Sequence, residues 1–356
     1  MAAKTCLHGG IFSVNPALVK VDFSSNVNPL GISKRVLRSI QNNLNSLFSM
    51  YPDPECRELK KNLLNYMDTD LDAEWITVGN GATELIHSFA RTFIRKKAII
   101  FDPTFCEYEL ASKRMGADIL FISLKNLNSD YKSIIEKSKD IDAIFLCNPN
   151  NPTGLLVSAN SIIKIIENVD NSTKVLIDEC FIELIDKDPA AYSLISRIKE
   201  FDNLLILRSL TKSFGLAGLR VGYIVCNPKL TKQLSTNNIP WNVNGVAQMA
   251  GILALKDLEH LTYARLMIKT ERSFLQREIK RKMQSFTPRK SDVNYFLIHL
   301  KNKDSTEIRD YMLKENGILV RDCSTFTGMS NDYIRVAVKT HEENLLLLDA
   351  LESSDK

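Results

Sequence analysis

Between residues 75 and 226 the chain repeats one pattern, a short apolar run closed by turn residues and followed by an amphipathic stretch. The runs are Ala98-Ile99-Ile100-Phe101, Ile119-Leu120-Phe121-Ile122, Ala143-Ile144-Phe145-Leu146-Cys147, Lys174-Val175-Leu176-Ile177-Asp178, Leu204-Leu205-Ile206-Leu207 and Val221-Gly222-Tyr223-Ile224-Val225. Uninterrupted apolar runs belong to strands covered on both faces, because a strand with one wet face alternates. The stretches 158–169 and 190–200 carry apolar residues three and four apart, the stripe of a helix with one buried side. The pattern predicts an α/β fold, a mostly parallel sheet between layers of helices.

After residue 256 the pattern changes. A long charged helix over 258–283 precedes a strand over 293–298, a helix near 305–316 and a strand over 333–338, which predicts a smaller α+β domain. Residues 1–44, rich in Asn, Ser, Gly and Pro, read as an extended arm packing with that small domain. The division is then 1–44 arm, 45–256 large domain and 257–356 small domain.

Composition narrows the class. With 356 residues, 44% hydrophobic and 25% charged, the chain has the make-up of a globular protein of more than one core. The net charge of +4, from 46 basic and 42 acidic residues, comes without a basic stripe, so small anionic molecules fit better than nucleic acid. Seven scattered cysteines without a C-x-x-C read as reduced thiols in a cytoplasmic protein, and no cysteine zinc site or other metal centre is expected. Neither a leader nor a membrane-length apolar stretch is visible.

Chemistry concentrates at the ends of the apolar runs. Lys212, in Ser209-Leu210-Thr211-Lys212, would alone be a solvated charge. With Ser209, Thr211 and Arg220 around it, the same stretch offers an amine that can bond an aldehyde beside donors for a phosphate. Asp178 closes an apolar run that would bury it, so it either caps a helix or pairs with a cation such as a protonated ring nitrogen. Gly79-Asn80-Gly81-Ala82-Thr83-Glu84 opens a helix running to Phe93; the amides of Gly81, Ala82 and Thr83 suit a phosphate, although the motif is neither a dinucleotide fingerprint nor a P-loop. Phe105 is a core aromatic or a platform for a ring.

Asn148-Pro149-Asn150-Asn151-Pro152-Thr153-Gly154, Asp178-Glu179, Ser209-Leu210-Thr211-Lys212 and Gly218-Leu219-Arg220 occur in the order and spacing of the fold-type I pyridoxal-phosphate enzymes. The chain resembles the branch of that family holding histidinol-phosphate aminotransferase and threonine-phosphate decarboxylase. The resemblance implies pyridoxal 5′-phosphate as cofactor, with Lys212 bonding its aldehyde, Asp178 on the ring nitrogen, Asn151 on the phenolic oxygen and Phe105 stacked on the ring. Its phosphate would lie on Gly81, Ala82, Thr83, Ser209, Thr211 and Arg220, with Tyr51 arriving from the second subunit of a homodimer.

Further likenesses bear on the reaction. The opening His8-Gly9-Gly10, the stretch Asp22 to Gly31, Ile239-Pro240-Trp241-Asn242-Val243-Asn244, and the segments around Arg321 and Arg335 are similar to the decarboxylase. The segment Ser213 to Arg220 is about as near to the aminotransferase. Aminotransferases of the branch place a tyrosine three residues after the aspartate, and here that position is Phe181, which cannot donate a hydrogen bond. The resemblance implies decarboxylation of L-threonine O-3-phosphate in cobalamin synthesis, with His8, Gly9, Asn26, Asn151, Arg321 and Arg335 as substrate contacts. Histidinol-phosphate transamination is the alternative, and a non-catalytic cofactor-binding sensor is a third reading from another class.

Overall fold

The computed structural model of the chain describes residues 8–124, 136 and 139–355. Strand β1 (Val21–Asp22) belongs to the N-terminal arm. Strands β2 (Ile76–Gly79), β3 (Lys97–Asp102), β4 (Asp118–Ser123), β5 (Ala143–Cys147), β6 (Lys174–Asp178), β7 (Leu204–Ser209) and β8 (Gly222–Cys226) build one seven-stranded sheet in the order β2-β8-β7-β6-β5-β3-β4. Strands β3 to β7 pair in parallel, and β8 runs antiparallel to both its neighbours. Every residue of β5, β7 and β8 is buried, which accounts for their apolar runs, and β7 ends on the buried polar residues Arg208 and Ser209. This is the fold-type I architecture, with helices Gly81–Phe93, Glu107–Arg114 and Ala159–Ile166 among those packed around the sheet.

In the small domain, β9 (Phe286–Pro288), β10 (Tyr295–Leu300), β12 (Arg321–Asp322) and β13 (Tyr333–Ala337) form an antiparallel sheet in the order β12-β13-β10-β9. Between them, β11 (Ile318–Leu319) pairs in parallel with β1, so the arm and the small domain share backbone hydrogen bonds. The helices Leu258–Lys282 and His341–Asp355 cover the sheet.

Three expectations change. The arm divides: Val21 and Phe23 join the small-domain core, whereas a helix over Lys34–Asn42 sends Val36 and Ile40 into the large one. That helix has a Ser33 cap and apolar residues four apart, a pattern hidden by the polar composition around it. The helix expected over 190–200 is replaced by two short 3-10 turns, Pro189–Ala191 and Ile195–Glu200. Buried Glu179 accepts the Ser193 hydroxyl at 2.8 Å and the Leu194 amide at 2.9 Å, so these groups serve the carboxylate instead of a continuous helix. Cys106 forms a disulfide, a departure from seven reduced thiols, while Cys56, Cys147, Cys180, Cys226 and Cys323 are free.

Among the described residues no helix is long and apolar enough to cross a membrane, and no cluster of three or more His, Cys, Asp or Glu could hold a metal.

Candidate active site

The carboxyl ends of parallel strands point their loops at one edge of the sheet, where α/β folds bind ligands. β6 ends on Asp178, and its register partner on β5 is Cys147. β7 ends on Ser209, whose hydroxyl accepts the Thr211 amide and starts the short helix Leu210–Ser213 that carries Lys212. Arg220 precedes β8 in a left-handed backbone conformation. β2 hands over to the helix Gly81–Phe93, where the cap residue Asn80 makes no side-chain cap bond.

These loops, the arm and the small domain enclose a cleft of about 340 Å³. Of the residues expected from sequence, Ala82, Thr83, Phe105, Asn151, Asp178, Ser209, Thr211, Lys212 and Arg220 line it. So do His8, Gly9, Asn26, Arg321 and Arg335. Gly81 lies behind this lining with a positive φ of 82°, and a Cβ there would fall 2.6 Å from Arg220 Nη2. Glycine is required for Arg220 to lie over the start of the helix. Tyr51 stands apart: it is 84% exposed, with its ring 5.1 Å from that of Trp241.

Among the described residues that line the cleft, Asp178 is the one carboxylate beside the cations Lys212, Arg220, Arg321 and Arg335. Asp178 is buried, accepts the Tyr108 hydroxyl at 2.6 Å and the Cys180 amide at 2.9 Å, and has no ion-pair partner among the described residues. Burial pushes its carboxyl above the usual range, against the pull of those hydrogen bonds. Lys212 is half-buried, and its ammonium is held down to about 8, first by lost hydration and then by the Arg335 charge. Ser209 and Thr211 lie with their hydroxyls 2.7 Å apart.

At the opposite wall, Arg321 of β12 and Arg335 of β13 are register partners. Like charges placed directly across an antiparallel pair repel. Arg335 is 5% exposed; it donates to Asn151 Oδ1 and, at 2.6 Å, to the Ser24 carbonyl. Its buried Nε has no hydrogen-bond partner among the described residues, nor does the buried Asn26 Oδ1. Arg321 donates to Thr325 Oγ1 at 2.9 Å and lies 5.0 Å over the Phe326 ring. His8 Nε2 lies 2.7 Å from a carboxylate oxygen of Glu107.

Several participants have no sequence signal. Tyr108 and Glu107 come from an ordinary amphipathic helix, and Phe326 from a loop. Asn28 does carry one, as part of the arm segment: its amide and side chain donate to the Lys212 and Ser213 carbonyls at 3.0 and 2.8 Å. Phe181 lines the cleft and packs edge-on against Tyr295, ring centres 5.0 Å apart.

The cleft fits pyridoxal phosphate on its own terms. A buried acid without a cation meets a protonated ring nitrogen, and a helix start without a side-chain cap, beside two hydroxyls and a guanidinium, meets a phosphate. The model for the family described as aminotransferase class I and II matches residues 19–351. A protein of Caldanaerobacter subterraneus subsp. tengcongensis named "Putative threonine-phosphate decarboxylase" is 36% identical over 92% of this chain and 88% of its own length. The crystal structure of the histidinol-phosphate aminotransferase from Clostridium acetobutylicum superposes with a TM-score of 0.86 at 33% identity, over 94% of this chain and 99% of that one. That of L-threonine-O-3-phosphate decarboxylase from Porphyromonas gingivalis gives 0.83 at 27%, over the same 94% and 99%. With Lys212, Asp178 and Arg220 gathered in a single cleft, the chain belongs to the aminotransferase class I and II family of fold-type I enzymes, with pyridoxal 5′-phosphate as its cofactor.

Proposed function

We propose that the protein is a carboxy-lyase that removes CO₂ from L-threonine O-3-phosphate, releasing (R)-1-aminopropan-2-yl phosphate for the nucleotide loop of cobalamin, and that it works as a homodimer with shared sites. The observation that carries this reading is the cross-strand pair Arg321 and Arg335 at one wall of the cleft. Two buried guanidiniums side by side call for a ligand with two anionic ends, here an α-carboxylate and a side-chain phosphate.

Each residue then has a task. Arg335, supported by Asn151, orients the α-carboxylate, and Arg321 with His8 holds the phosphate while Asn26 faces the substrate between them. Asp178 keeps the ring nitrogen protonated, and Asn151 also reaches the phenolic oxygen. Ser209, Thr211, Arg220 and the amides of Gly81 to Thr83 anchor the cofactor phosphate, and Phe105 fixes the ring plane. The cofactor, when bound, supplies an electron sink for the pair left by the departing carboxylate. Lys212, with its ammonium held down to about 8, would deliver the proton that the carbon needs once the carboxylate has left.

The second reading is histidinol-phosphate aminotransferase, favoured by the 33% identity and 0.86 TM-score with the Clostridium enzyme. Phe181 supports the first reading, because it places an apolar ring where the aminotransferases have a phenol. The decisive measurement is CO₂ release from L-threonine O-3-phosphate in the absence of any keto acid. Glutamate turnover that appears only with histidinol phosphate and an acceptor would sink the decarboxylase reading.

A further inference from the structure

Glu107 is 5% exposed at the start of the helix Glu107–Arg114, and none of the tasks above uses it. Both its oxygens are engaged by histidines from separate segments. His8 Nε2, on the arm, lies 2.7 Å from Oε1, and His87 Nε2, on the helix Gly81–Phe93, lies 2.8 Å from Oε2. These contacts, His8 foremost, hold the acid down to about 2, so it is an anion at any working pH. A carboxylate on one imidazole nitrogen sets the tautomer and orients the ring.

The arm is shaped to deliver His8 to this point. A Cβ on Gly9 would fall 2.7 Å from the Ser24 carbonyl, so only glycine lets the chain pass there. The Gly10 amide donates to Ser24 Oγ at 2.7 Å, and that hydroxyl in turn donates to Asp22 at 2.6 Å. His8 is thereby held on a wall of the cleft that it shares with Arg321.

We propose that Glu107 is a positioning residue: it holds the His8 ring with Nδ1 turned to the phosphate end of the substrate, with His87 bracing the carboxylate, and so sets the preference for phosphorylated over unphosphorylated amino acids. This rests on the reading of a phosphorylated amino-acid substrate given above. The test titrates holoenzyme with L-threonine O-3-phosphate and with L-threonine, following the cofactor absorbance to obtain a Kd for each. Glu107→Gln lowers the ratio of the two affinities by about 10- to 100-fold, the usual cost of losing a carboxylate behind a ligating histidine. Glu107→Asp restores part of that ratio, and adding His8→Asn to Glu107→Gln lowers it by less than about twofold more, because the two act as one unit.

Equal weakening of both ligands by Glu107→Gln, or a fully multiplicative double variant, overturns the proposal. Should Glu107→Gln fail to fold, His87→Asn carries the test, with a threefold or greater loss of the ratio expected and an unchanged ratio against it. A wild type with no preference for the phosphorylated ligand defeats the substrate reading itself, and the role of Glu107 with it. A wild type that prefers it, beside a Glu107→Gln protein with the same preference, defeats the positioning role alone.

Discussion

Lys212 shows how one side chain is tuned by its surroundings. Only a neutral amine attacks an aldehyde, and an ordinary lysine at 10.5 is almost never neutral near pH 7. Lost hydration and the neighbouring Arg335 bring this one to about 8. Capture of pyridoxal phosphate by the cofactor-free protein therefore rises about tenfold per pH unit and levels off near pH 8, where an ordinary lysine would continue toward 10. Stopped-flow absorbance checks this, and a rate still climbing at pH 9.5 counts against it. The same shift touches stability: between about 8 and 10.5 the unfolded chain binds a proton that the folded one does not, so the penalty is full below 8 and is relieved as pH rises. Lys212 and Asp178 were legible because they close apolar runs beside recognisable turns. Tyr108, which holds Asp178 at 2.6 Å, was not, since Glu-Tyr-Glu-Leu-Ala-Ser-Lys-Arg reads as any surface helix.

Elements were legible where an apolar run was long and uninterrupted, including the edge strand β4, of which only Ile122 is buried, whereas fully buried β2 was not. The strands β3, β5, β6 and β7 stand out because parallel strands lose the alternation of a wet face. β2, four residues long, and the turns at 189–200 were hidden, the first by its brevity and the second because the partner that reshapes it, Glu179, is distant in sequence. The pairing of Arg321 with Arg335 also needed register, which no single-strand pattern supplies. It predicts opposite effects from one change. Arg321→Gln relieves a like-charge pair and a buried guanidinium, so the melting temperature of the ligand-free protein rises by roughly 1–3 °C. Affinity for the phosphorylated amino acid falls at least about 30-fold, the cost of removing one side of a buried charge contact. Thermal unfolding and substrate titration check both halves; a lower melting temperature would make Arg321 chiefly a structural residue.

On the scale of the whole molecule the cleft is a meeting of three parts. The arm brings His8 and Asn26, the large domain Lys212 and Asp178, and the small domain Arg321 and Arg335. The likeness of motifs predicted that these residues belong together, but not how the arm splits between two cores. Tyr51 has no place in its own chain's cleft: it is exposed, as are its chain neighbours Phe48 and Met50, and its ring lies against the exposed Trp241. Under the homodimer proposal it completes the partner's site. Tyr51→Phe then loosens cofactor retention several-fold with the fold intact, and mixing that protein with Lys212→Ala restores tight retention in one site of each mixed dimer. Cofactor release on dialysis measures it, with subunit exchange verified by mass spectrometry; no recovery after exchange argues against a shared site.

Arg335 grips Asn151 and the Ser24 carbonyl before any substrate arrives, so the protein's own neutral oxygens are its first competitors for the guanidinium. A carboxylate outbids them through its charge, whereas an amide or ester in the same place offers nothing better than what it must displace. Under the proposed role of Arg335, the site thus favours a charged acid over an uncharged look-alike, which gains only the open Nε.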